Sequence, residues 1–92
     1  MRPFELVYRP FPAEAGGVCS GVLRELRGRV VIMIDSSQDA DTQAKALRHE
    51  LAHLALGHLD DGRPLKALEE EAEKYADQMS DEGFNDLMMW RR

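Results

Sequence analysis

The stretch that decides how this chain folds is His49-Glu50-Leu51-Ala52-His53. Residues four apart lie on one face of a helix, so His49 and His53 present two imidazoles one turn apart. Two histidines at this spacing can bind one Zn²⁺, and Glu50 between them can take a proton from the attacking water. The pentapeptide therefore predicts a helical zinc site in which Glu50 is the catalytic base.

The helix around this pentapeptide is apolar on nearly every side, which indicates that it is buried. Good N-cap residues lie within residues 36–41, and helical periodicity continues from there to about Leu56. Leucines and alanines form one face, while the histidines nearly opposite are flanked by Ala46 and Ala52. We therefore expect a sheet on one side of the helix and a second helix on the other, with the histidines enclosed between the two helices.

The segments around this helix predict an α+β fold in one domain of residues 1–92. Alternating or β-branched patterns predict strands at residues 4–8, 22–26 and 29–35, the last two forming a hairpin, with a glycine-rich loop over 13–21. Pro64 suits the first position of a second, amphipathic helix, and residues 81–92 can form a short third one. The prediction is a short antiparallel or mixed sheet of about three strands, followed by the helices.

Composition excludes several classes of function. The chain has 92 residues, a net charge of −5 and no basic stripe, which argues against nucleic acid as a partner. The longest apolar run, residues 30–34, is too short to cross a membrane, and the first residues show no signal-peptide pattern. A single cysteine, Cys19, excludes an intrachain disulfide. We therefore expect a protein of the reducing cytoplasm.

A zinc site needs a third protein ligand, and the second helix offers carboxylates for it. Glu69, Glu73 and Asp77 form a column beside the apolar stripe of that helix. If the two helices are antiparallel, the middle of the second helix faces His49 and His53. Our first choice as third ligand is Glu73, with Asp77 orienting a liganding histidine through a hydrogen bond. The alternative is Glu69, with Glu73 in the orienting role.

His58 is not expected to bind the metal. Continued around the same helical wheel, His58 falls on the leucine face, away from the other two histidines, and is interpreted as a helix-end residue. Glu70 and Glu71 are expected to point further from the space between the helices than Glu69 or Glu73.

The order of these segments resembles the ImmA/IrrE family of metallopeptidases, a branch of the gluzincins. The similarity covers about residues 30–79: a strand ending in Ile34-Asp35-Ser36-Ser37, the helix with His49-Glu50-Leu51-Ala52-His53, and the glutamate helix Leu68-Glu69-Glu70-Glu71-Ala72-Glu73. The resemblance implies a small zincin-like domain and a zinc-dependent endopeptidase whose targets are often bacterial or phage regulatory proteins. It implies that His49 and His53 bind zinc, that Glu50 is the base, and that a glutamate of the second helix completes the site.

Two alignments of the glutamate helix leave the third ligand open. The family usually has Asn where this chain has Glu73, whereas the wider gluzincin pattern Glu-x-x-Ala-Asp fits residues 73–77. The two alignments assign the ligand to different glutamates. A substrate peptide is expected to extend the sheet beside residues 30–34. The alternative function is a zinc-binding interaction or regulatory module with the same fold and little or no turnover.

Overall fold

The sheet is mixed, and its central strand is the last of the three in sequence. The computed structural model describes residues 1–12 and 19–92. The strands are β1 (Phe4–Arg9), β2 (Gly21–Leu26) and β3 (Arg29–Asp35). β3 lies between the other two, parallel to β1 and antiparallel to β2. The predicted hairpin is therefore confirmed, and of the predicted loop over 13–21, residues 13–18 lie outside the described residues.

The hairpin between β2 and β3 closes through a two-residue turn. Arg27 and Gly28 both have positive φ angles, 53° and 79°. Two successive residues of this kind match the right-handed twist of the adjoining strands, and glycine adopts this conformation without steric cost.

The central place of β3 contradicts one expectation. Residues 30–34 were expected to form a free edge for a peptide, but the backbone of β3 is hydrogen-bonded to β1 on one side and to β2 on the other. Among the described strands, the two outer ones, β1 and β2, have an edge that faces away from β3. The expectation was wrong because the pairing of β1 with β3 joins segments more than twenty residues apart, which no local pattern encodes.

Three helices follow the sheet: α1 (Ala40–Ala55), α2 (Leu65–Asp77) and α3 (Asp81–Met88), with a short 3-10 turn (His58–Asp60) between the first two. The Asp39 side chain caps α1 by accepting a hydrogen bond from the backbone N–H of Thr42 at 2.7 Å. The predicted α+β fold, a three-stranded sheet followed by the histidine helix and the glutamate helix, is confirmed. None of the helices in the described ranges is long and apolar enough to span a bilayer.

The core lies between the sheet and α1. Phe4, Ile32, Ile34 and Leu51 are fully buried there. α1 contacts β2 and β3 and also α2, so it has neighbours on two sides. Burying a side chain of this size stabilises the fold by about 1.5–3 kcal/mol. This packing fixes the position of the histidine helix against the sheet.

Arg48 ties α1 to the far end of α2. Its guanidinium donates hydrogen bonds to the backbone carbonyl of Met79 at 3.0 Å and to the Asp81 carboxylate at 2.8 Å. The start of α2 meets the end of α1 instead, where His58 contacts Glu71. The two helices are therefore antiparallel, and the middle of α2 lies opposite the histidines.

Asp35 ends β3 as a buried carboxylate that collects hydrogen bonds from the next turn. The Ser37 hydroxyl donates to it at 2.6 Å and the backbone N–H groups of Ser37 and Phe11 at 3.0 and 3.1 Å. These bonds, the Ser37 hydroxyl first, outweigh burial and lower the pKa of Asp35 from 3.8 to about 2.

Replacing this carboxylate is expected to change the acid stability of the fold. Because the folded pKa of Asp35 is the lower one, its contribution is present above pH 3.8 and is lost as the pH falls towards 2. Asp35→Asn should therefore flatten the decline in unfolding free energy between pH 4 and pH 2, measured by urea denaturation at several pH values. An unchanged slope would show that Asp35 does not titrate with folding.

Candidate metal centre

Two histidines and one glutamate converge where α1 faces α2. The Nε2 atoms of His49 and His53 are 3.1 Å apart. The Glu69 carboxylate reaches both histidines, with Oε2 at 2.8 Å from Nε2 of His49 and Oε1 at 3.0 Å from Nε2 of His53. These three residues are a group that could hold a metal ion, since their ligand atoms all lie within 4.8 Å of one another.

Of the two glutamates considered from the sequence, the structure brings Glu69, the alternative, into this group. Glu73, the first choice, is exposed one turn further along α2 and lines the neighbouring cleft. Asp77 is also exposed and lines the cleft, and among the described residues it makes no hydrogen bond to a histidine. The orienting role assigned to Asp77 therefore has no contact to support it.

The donor set and the spacing both fit zinc. Two imidazole nitrogens and a carboxylate oxygen are the ligands found in catalytic zinc sites, with a further position left open. Ligand atoms around a tetrahedral zinc ion lie roughly 3.3 Å apart, given bonds of about 2.0–2.1 Å. The distances here, 2.8 to 3.1 Å, differ from that value by a few tenths of an ångström. His53 is buried while the His49 side chain is 28% exposed, so the group opens to solvent on one side.

Glu50 is buried beside the group on the sheet side of α1. Burial raises the pKa of Glu50 to about 7; the charge of His49 opposes the rise and that of Glu69 adds to it. A cation in the adjacent group would act in the opposite direction and favour the carboxylate.

Gly21 at the start of β2 allows this burial of Glu50. A Cβ atom at Gly21 would lie 3.0 Å from Cγ of Glu50, closer than side chains normally pack. A side chain at this position would require Glu50 or its neighbours Ile34 and Ala46 to shift by a few tenths of an ångström. The sequence offered no sign of this role, because the approach joins two segments far apart along the chain.

A cleft of about 560 Å³ opens beside the group. It lies between the start of β2 and the two helices, and both Glu50 and Glu69 line it. Its lining also includes Cys19, Ser20, Gly21, Thr42, Lys45, Ala46, Glu73 and Asp77. β2, an outer strand of the sheet, begins at this cleft.

His58 lies against His53, which corrects two expectations from the sequence. Its Nδ1 atom is 2.8 Å from Nδ1 of His53, and its Nε2 atom is 3.2 Å from Oε1 of Glu71. The wheel placed His58 away from the histidines because it assumed that the helix continues. Instead α1 ends at Ala55, and Gly57, with a φ angle of 74°, turns the chain back. Glu71, which was expected to point away from the space between the helices, contacts Nε2 of His58.

The fold and the His-His-Glu group define a small zincin-like domain of metallopeptidase type. A family model described as Peptidase_M78, the IrrE N-terminal-like domain, matches residues 4–85, and the chain belongs to this family. The resemblance to the ImmA/IrrE family seen in the sequence is thereby confirmed. Comparisons with curated proteins and with solved structures found no significant match.

Proposed function

We propose that this protein is a zinc-dependent metallopeptidase that hydrolyses peptide bonds. The observation that carries the proposal is the convergence of His49, His53 and Glu69 on one point beside the buried carboxylate of Glu50. The two histidines and Glu69 are the proposed ligands, and Glu50 is the proposed base. A purely structural site would have no use for a general base next to an open ligand position.

Zinc held by these residues would polarise the scissile carbonyl and lower the pKa of a water molecule towards about 7. Glu50 is the residue of the chain that transfers the proton. Its carboxylate takes a proton from the attacking water and delivers it to the nitrogen of the leaving amine. The packing of α1 against the sheet, with Glu50 buried against Gly21, positions this carboxylate for both transfers.

The substrate is proposed to be an extended segment of a protein or peptide. β2 is an outer strand, and the chain entering it at Ser20 and Gly21 lines the cleft. An extended peptide can add to such an edge through backbone hydrogen bonds, which would carry its carbonyl past Glu50. The family resemblance points to a bacterial or phage regulatory protein as the substrate. The exposed free thiol of Cys19 is compatible with the proposed cytoplasmic location.

The proposal is tested with the zinc-loaded protein and a library of peptides, with new termini read by mass spectrometry. We expect cleavage that stops on chelation and returns when zinc is added back. Stoichiometric zinc without cleavage of any peptide or denatured protein would contradict peptidase activity and favour the zinc-binding module instead.

A further inference from the structure

The two ring nitrogens of His53 face different partners. Nε2 points into the candidate metal group, towards His49 and Glu69. Nδ1 points the other way, to Nδ1 of His58 at 2.8 Å. This contact is buried, since His53 and His58 are each 8% exposed. A neutral imidazole carries its proton on one nitrogen only, so the partner of Nδ1 decides whether Nε2 is free to bind a metal.

His53, His58 and Glu71 form a row of hydrogen-bonded side chains. The direction of each hydrogen bond in this row follows from Glu71, which ends it. A carboxylate only accepts, so Nε2 of His58 must carry a proton and donate it to Oε1 of Glu71 at 3.2 Å. A neutral His58 then has an unprotonated Nδ1, which accepts. His53 must donate from its own Nδ1, which leaves the lone pair of its Nε2 pointing into the metal group.

Glu71 is itself held by a fixed positive charge. The Arg63 guanidinium also donates hydrogen bonds to Asp61, the shortest of which is 2.7 Å. It donates two hydrogen bonds to the Glu71 carboxylate. These bonds, with the one from His58, keep the pKa of Glu71 below its usual value, so it remains an acceptor. All of these groups lie in the connection between α1 and α2 or in the first two turns of α2.

We propose that His58 is a positioning residue which, backed by Glu71 and Arg63, keeps the proton of His53 on Nδ1 and so prepares Nε2 to bind the metal. The inference deepens the proposed function and rests on the same metal site. Hydrogen-bond partners behind a liganding histidine commonly change metal affinity by about 10–100-fold when removed. Here the partner is a second histidine, reached only because Gly57 turns the chain back.

The direct test needs no substitution and no turnover. In the metal-free protein at pH 8, where imidazole is ordinarily neutral, two-bond and three-bond ¹H–¹⁵N NMR correlations report which ring nitrogen carries the proton. We expect the proton on Nδ1 of His53 and on Nε2 of His58. A proton on Nε2 of His53 would overturn the proposal, even if the protein proves to be an active peptidase.

The second test measures zinc affinity by competition with a chromophoric chelator. His58→Leu and Glu71→Ala are expected to weaken zinc binding by about 10–100-fold. Glu70→Ala is the matched control, because Glu70 is an exposed glutamate adjacent to Glu71 and outside the row. His58→Asn is expected to recover part of the loss, since its amide oxygen can accept the proton of His53.

The outcomes separate a positioning role from a structural one. Urea unfolding of each metal-free variant reports stability, and the visible spectrum of the cobalt-substituted protein reports ligand geometry. Loss of stability in His58→Leu with unchanged zinc affinity and cobalt spectrum would contradict the proposal. If wild-type protein binds no zinc, the proposed function fails, whereas the NMR test still determines the proton positions in His53 and His58.

Discussion

Replacing Glu50 with glutamine is expected to lower kcat for peptide hydrolysis by roughly 10²–10⁴-fold, the usual contribution of a general acid–base group. Glutamine has nearly the same shape, so the buried position against Gly21 remains filled. It cannot accept the proton of the attacking water, and zinc should stay bound because Glu50 is not in the group formed by His49, His53 and Glu69. The measurement is kcat on a cleaved peptide, with zinc content determined on the same sample.

The control for Glu50→Gln is Glu70→Gln, which makes the same chemical change at an exposed glutamate outside the cleft. It should cleave at the wild-type rate. If Glu50→Gln cleaves as fast as the wild type, Glu50 is not the base or the activity comes from a contaminant. If both variants and the wild type bind zinc and none cleaves, the zinc-binding module becomes the better description.

The part of the site carried by one helix could be predicted from sequence. His49, Glu50 and His53 have a fixed relation to one another once α1 forms, because helix geometry sets the spacing. The signals for α1 are local: the cap at Asp39, the periodicity and the apolar residues on both sides. The helix runs from Ala40 to Ala55, close to the predicted bounds.

The third ligand position depends on how two helices are aligned, and sequence does not encode this locally. Glu69 and Glu73 lie one turn apart on the same side of α2, a shift of about 6 Å along the axis. In the structure, the alignment that brings Glu69 to the histidines also places the Met79 carbonyl within hydrogen-bond distance of Arg48. Both helical patterns are equally satisfied by either alignment, so the periodicity left the choice open.

The predicted position of His58 and the predicted free edge of β3 were wrong for the same kind of reason. The wheel treats a helix as continuous, yet one residue with a positive φ angle, Gly57, redirects everything after it. Likewise the pattern of β3 predicts a strand but not its neighbours, and its pairing with β1 brings together distant segments. The positions of side chains can be predicted best from sequence when all of them lie on one helix or one strand.

Binding of zinc is expected to raise the free energy of unfolding by about 4 kcal/mol when free zinc is about 1,000 times the dissociation constant. The effect should be large for a fold of this size, because the ligands come from two separate helices and ordinary domains are stable by only about 5–15 kcal/mol. The experiment compares urea unfolding with and without zinc in three proteins: wild type, Glu69→Gln and Glu73→Gln.

The two substitutions are chemically identical and lie one turn apart, so they isolate the ligand position. If Glu69→Gln weakens zinc binding by about 100-fold, the increment at the same zinc concentration falls to about 1.4 kcal/mol. Glu73→Gln should retain the full increment, because the exposed Glu73 lies outside the group that converges on the histidines. The reverse result would assign the third ligand to Glu73 and require α2 to sit about one turn away from the position in the structure. Equal losses in both variants would mean that the acidic charge of α2, rather than a defined ligand, holds the ion.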